Sequence, residues 1–76
     1  MDVSVLLETV DRLYEENRGE EAEQILLGAI AAAQDEQDGT TLLQLLNELL
    51  GYYRETFRER EAFVVAEQIL EISERI

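Results

Sequence analysis

The side chains that could act on a bond in this chain are carboxylates, tyrosines, serines and threonines, because its 76 residues include no His, no Cys and no Lys. Nucleophilic and general acid–base catalysis therefore lose their usual carriers. Paired carboxylates can share acid–base work when their surroundings push their pKa values apart. Here Glu15, Glu16, Glu20, Glu21 and Glu23 cluster around a helix end, where solvation is expected. The acidic stretch Asp35-Glu36-Gln37-Asp38-Gly39 invites comparison with a calcium loop that carries Gly at its sixth position. Counting from Gly39 puts Gln34 at the first ligand position and Leu45 where a bidentate Glu is required, so the comparison fails. Glu-x-x-His, needed by di-iron bundles, is absent. The chain is expected to have no catalytic residues, no metal site and no cofactor.

Surface charge is the strongest compositional signal. Eighteen acidic residues face six basic ones, all Arg, for a net charge of −12. Such a field repels phosphate backbones and anionic lipid, which argues against nucleic acid and membrane partners and favours a basic protein surface. Acidic solvated faces also simply maintain solubility, and an acidic, Lys-free surface would suit a halophilic source. No run approaches the roughly 18 apolar residues of a membrane span, and Met1-Asp2-Val3-Ser4 lacks the basic start of a signal peptide, so a soluble, cytoplasmic protein is expected. A chain this short buries only about 60% of its unfolded surface and holds one core. Without disulfides or a metal, regular packing and oligomerisation must stabilise it.

The elements that would position any site are helices. Val3, Leu6, Leu7, Val10, Leu13 and Tyr14 recur at three- and four-residue steps and predict a helix from about Asp2 to Asn17, closed by Asn17-Arg18-Gly19 with Gly in the left-handed position. Ala22, Ile25, Leu26, Ala29, Ile30 and Ala33 predict a second from about Glu20 to Gln37, with Glu20, Glu21 and Glu23 near its positive end. After Asp38-Gly39-Thr40, Thr41 and Gln44 have the form of a capping box. The third helix carries Leu42, Leu43, Leu45, Leu46, Leu49, Leu50, Tyr53 and Phe57, too broad an apolar surface for one neighbour. The fourth presents Ala62, Val65, Ala66, Ile69, Ile72, Ser73 and Ile76 to the core and leaves Phe63, Val64 and Leu70 elsewhere. No Gly, Pro, Asn or Asp marks the boundary between the last two helices, placed near Thr56 to Glu59. The alternative is one helix from Thr41 to Arg75 that exchanges its second half with another chain in a domain-swapped dimer. The expected fold is all-α, a single domain over residues 1–76, with hairpins at about 2–37 and 41–75.

A shift of 40 residues superposes Leu6 on Leu46, Val10 on Leu50, Leu13 on Tyr53, Ala22 on Ala62 and Ala29 on Ile69. The second copy runs Leu46-Asn47-Glu48-Leu49-Leu50-Gly51-Tyr52-Tyr53-Arg54-Glu55-Thr56, then Glu61-Ala62-Phe63-Val64-Val65-Ala66-Glu67-Gln68-Ile69-Leu70, with Ala62 nine residues after Tyr53. It resembles the tetratricopeptide repeat, in the long-repeat form of kinesin light chain and similar bacterial proteins. Phe57 stands where that family usually has Gly or Asn at the turn, and the usual carboxy-terminal solvating helix is missing. The resemblance implies two hairpins stacked as a short right-handed solenoid whose first helices line a concave face. It implies a protein-binding module with Gln44, Asn47, Gly51, Arg54 and Glu55 exposed in the groove.

In matching Leu-Asn-x-Leu contexts of the long-repeat members, an Asn can bond a peptide backbone through both its donor and its acceptor. Asn47 could equally face solvent or satisfy a neighbouring helix. Arg54 is expected to pair with Glu48, Glu55 or Glu59 rather than with a ligand. Tyr14, Tyr52, Tyr53 and Phe57 are expected as core or interface anchors. Phe57, Phe63, Val64 and Leu70 are the expected self-association residues, pointing to a homodimer. The competing reading is a structural or designed helical scaffold with no external ligand.

Overall fold

The structure, a computed structural model, describes residues 2–75. Four helices follow in order: α1 (Val3–Glu15), α2 (Gly19–Asp35), α3 (Gly39–Glu55) and α4 (Glu59–Arg75). The last three each have 17 residues and start 20 apart. The joints repeat as strictly. Asn17, Gln37 and Phe57 all take the left-handed conformation, at φ 60°, 56° and 59°. In each joint the next N–H reaches back five residues: Arg18 to the Leu13 carbonyl at 2.7 Å, Asp38 to Ala33 at 3.0 Å and Arg58 to Tyr53 at 2.9 Å. The left-handed residue itself donates to the carbonyl three before it, to Tyr14, Gln34 and Arg54. These are Schellman closures, which satisfy carbonyls that the helix end leaves open.

The boundary between α3 and α4 falls at Thr56-Phe57-Arg58, so the two are separate helices and not the single long helix of the swapped alternative. The other boundaries correct the reading of glycine. Asn17, not Gly19, takes the left-handed position, and both Gly19 and Gly39 are the first residues of helices. Asp38, not Thr41, caps α3: its carboxylate accepts from the Thr41 backbone N–H at 3.2 Å and the Thr41 hydroxyl at 2.6 Å. Asp2 caps α1 by accepting from the Val5 N–H.

A left-handed L-residue crowds its Cβ against the following carbonyl at a cost of about 1 to 2 kcal/mol, which Asn or Gly relieves. Phe57 carries this cost while its ring stays 85% exposed, with no packing to offset it. Phe57→Asn, which copies Asn17, is expected to raise stability by about 1 kcal/mol, a melting shift of about 4 to 8 °C for a domain of this size, read by thermal circular dichroism.

Consecutive helices pack as antiparallel pairs, α1 on α2, α2 on α3 and α3 on α4. Tyr14 of α1 and Tyr52 of α3 stack with ring centroids 5.4 Å apart, which brings the odd-numbered helices together on one side. A Cβ on Gly19 would stand 3.0 Å from the Tyr52 ring, so this glycine serves a close approach rather than a turn. The core contains Val10 and Leu13 from α1, Ala22, Leu26, Ala29, Ile30 and Ala33 from α2, Leu42, Leu45, Leu46, Leu49 and Tyr53 from α3, and Val65 from α4. Small alanines on α2 let its neighbours approach closely, and α3 is buried between α2 and α4. Helix α4 buries less than its sequence suggests: Ala62, Ile69 and Ile72 are half-buried and Ala66 and Ser73 are exposed. Ile76 lies outside the described residues.

One carboxylate expected in solvent is instead buried. Glu23 accepts from the Tyr53 hydroxyl at 2.6 Å and from the Arg58 guanidinium at 2.9 Å. Arg58 also pairs with Glu61 at 2.8 Å and lies over the Tyr53 ring, 4.6 Å from its centroid. This network ties α2 to α3, to the joint after it and to the first turn of α4.

Candidate functional site on the α1–α3 face

Stacking of α1 against α3 leaves a shallow channel between their outward sides. Asp11 and Tyr14 of α1 meet Asn47, Glu48, Gly51, Tyr52 and Glu55 of α3 around a depression of about 220 Å³. A ledge formed by Gly51, Arg54 and Glu55 continues it outward. Towards the first joint it runs on past Tyr14, Tyr52 and Glu55 to Asn17, Arg18 and Glu21. The helical spacing of Asn47, Gly51 and Glu55, four residues apart, sets them in one line along α3. Gly51 has nothing within 4 Å of where its Cβ would be, so the middle of the channel is open down to the helix backbone.

Asp11, Glu48 and Glu55 give the channel its sign. Burial, and then the neighbouring Asp11 and Glu55 carboxylates, hold the Glu48 carboxyl above the usual range. Burial, followed by the charge of Glu48, likewise pushes the Tyr14 hydroxyl up, and this buried hydroxyl has no hydrogen-bond partner among the described residues. Ionised Glu48 is thus an electrostatic cost to the fold. A carboxyl raised in the folded state stabilises below its unfolded pKa and loses that contribution as pH climbs through the folded value. Glu48→Gln is therefore expected to be more stable than the parent at neutral pH in urea melts, with the difference closing as pH falls through the raised folded value towards the unfolded one, about 4.3.

The five groove residues read from the sequence divide by location. Asn47, Gly51 and Glu55 line the depression, Arg54 stands on the ledge, and Gln44 is exposed on α3 outside both. Arg54 forms no ion pair among the described residues, which corrects the expectation that Glu48, Glu55 or Glu59 would hold it. Asp11, Tyr14, Glu48 and Tyr52 were not identified as groove residues from sequence. A contribution from α1 requires knowing which helices touch, although the 40-residue offset already sets Asp11 level with Gly51.

The four self-association residues do not form one patch. Phe57 projects from the last joint, Val64 lines an apolar groove of about 460 Å³ between α2 and α4 on the other side of the molecule, and Phe63 and Leu70 lie on the outer edge of α4. Of the aromatic anchors, Tyr53 is buried and Tyr14 and Tyr52 are half-buried, while Phe57 takes no part in the core. Among the described residues no group of three or more potential ligands could hold a metal ion, and no helix is long and apolar enough to cross a membrane. No protein-family model, curated protein or solved structure matches the chain.

Proposed function

We propose that the chain is a protein-interaction module of tetratricopeptide type that takes an extended, basic peptide segment along the α1–α3 channel. One observation carries the reading: a single depression brings together three carboxylates, the Asn47 amide and the open backbone at Gly51. An amide that donates and accepts can read a peptide backbone whatever its sequence. Uncompensated carboxylates beside it select Lys or Arg side chains and relax their mutual repulsion when a cation arrives. The net charge of −12 steers such a partner toward the surface, more strongly at low salt.

The test is titration of labelled extended peptides, graded in Lys and Arg content, against the parent, Asn47→Ala and Gly51→Ala. Affinity is expected to rise with peptide charge and to fall about tenfold, near 1.4 kcal/mol, in Asn47→Ala. Gly51→Ala separates binding from folding. It replaces a mid-helix glycine in open space and is expected to stabilise the fold by about 0.5 to 1 kcal/mol while obstructing the peptide. A parent that takes up none of the peptides, whatever their charge, would favour the scaffold reading instead.

A further inference from the structure

The two hairpins are equivalent under the 40-residue offset, and the equivalence assigns a use to the outer edge of α4. Helix α2 receives α3 on a stripe that includes Glu23 and Ile30: Glu23 bonds Tyr53, and Ile30 lines the same groove as Leu46 and Leu49. Glu23, Leu26, Ile30 and Ala33 are all buried there. Forty residues on, the same register positions of α4 are Phe63, Ala66, Leu70 and Ser73. All four are exposed, Phe63 at 65% and Leu70 at 62%, although the two large ones are apolar and lie two turns apart with a small residue between them. The seat that α2 offers to α3 is thus built a second time on α4, and no helix among the described residues occupies it.

We propose that this stripe is a docking site for an amphipathic helix of a partner, seated on α4 as α3 is seated on α2, with a leucine-rich stripe and basic flanks.

The register specifies the occupant's chemistry. Phe63 replaces the carboxylate that takes the Tyr53 hydroxyl in the first seat, so the arriving helix needs an aliphatic residue at the place of Tyr53. Glu67 and Glu74 lie on the exposed side of α4 without an ion pair among the described residues, and they call for Lys or Arg at the flanks. The same charges disfavour a second copy. Symmetric antiparallel pairing of two α4 helices through Phe63 and Leu70 centres the axis between Ala66 and Glu67, which brings Glu67 toward its own mate in an association of two chains of charge −12. Head-to-tail stacking would offer α1 as the incoming helix, but Asp2 and Thr9 stand at the offset positions of Leu42 and Leu49.

The probe is a synthetic peptide with the α3 sequence, Gly39–Glu55, carrying Tyr53→Leu, Glu48→Lys and Glu55→Lys, titrated into the whole chain. It is expected to gain helicity on mixing and to move the amide resonances of α4. Affinity is expected to drop at least tenfold for Phe63→Glu with Leu70→Glu, whose exposed positions leave the circular dichroism of the chain unchanged. It is expected to hold in Asn47→Ala, which marks this seat as separate from the α1–α3 channel, and to weaken for the peptide that keeps Tyr53. Binding that ignores the double substitution overturns the proposal. So does a dimer of the chain alone, seen by sedimentation and dissolved by that substitution, because the occupant would then be a second copy.

Discussion

Leu45→Ala is expected to remove about 2 to 5 kcal/mol of the chain's stability at 25 °C. Leu45 is fully buried on α3, the helix enclosed by α2 and α4, and it belongs to the core on which both hairpins depend. Truncating a buried Leu removes its transfer energy and leaves a cavity, about 2 to 5 kcal/mol together. A domain of 76 residues holds about 4 to 11 kcal/mol in all. The loss therefore consumes a large part of the whole stability and, for a chain at the lower end of that range, all of it. Urea melts followed by circular dichroism read it directly. The contrast is Leu70→Ala on the uncovered edge of α4, expected within about 0.5 kcal/mol of the parent. Equal effects at the two positions would contradict the division between core and open edge.

The second large effect is at Glu23. Glu23→Ala removes the acceptor of a buried tyrosine hydroxyl, and an orphaned buried donor costs about 1 to 3 kcal/mol. Arg58 escapes part of the penalty because its guanidinium is half-exposed and can turn to water. Burial pushes the Glu23 carboxyl up, but the Tyr53 hydroxyl and the Arg58 guanidinium outweigh it and hold the group below the ordinary range. Burial and then the bond to Glu23 in turn push the Tyr53 hydroxyl up to about 12. A depressed carboxylate stabilises above its unfolded pKa, about 4.3, and loses that contribution as pH falls through its folded value. The gap between parent and Glu23→Ala is thus expected to be widest at neutral pH and to narrow in acid, opposite in sign to the trend expected at Glu48. A double-mutant cycle with Tyr53→Phe is expected to show coupling of about 0.5 to 3 kcal/mol, since the two side chains share one bond.

These residues also mark how far the sequence could be read. Apolar spacing alone locates four helices, and the break near Thr56 to Glu59 is found without any turn-forming residue because the stripes on either side need separate rods. Glycine misleads at the joints. Gly19 and Gly39 look like helix closers, yet the closers are Asn17 and Gln37, two residues earlier, and the 20-residue rhythm of the joints becomes evident only once Phe57 is seen in the same conformation. Asp38 and Thr41 are both good caps three residues apart, so composition cannot choose between them. Glu23 reads as one more acidic residue at a helix start, because its burial depends on Tyr53 and Arg58, which arrive 30 and 35 residues later. The channel is legible only in part. Asn47, Gly51 and Glu55 share a line on α3 by spacing, while Asp11 and Tyr14 join them through packing of one hairpin on the other.

The role proposed for the α1–α3 face, a recognition surface for a cation that is at the same time a cost to the fold, gives its binding a definite signature. Glu48→Gln and Gly51→Ala are each expected to stabilise the chain and weaken its partner, a combination that damage to the fold cannot produce. The most direct measurement is amide chemical-shift mapping of the whole chain during titration with an extended Arg- and Lys-rich peptide at moderate salt. The predicted result is a continuous track of shifts through Asp11, Asn47, Glu48, Gly51 and Glu55 that saturates and is lost in Asn47→Ala. Shifts scattered over the acidic surface without saturation, or gathered on the α2–α4 side and untouched by that substitution, would contradict it.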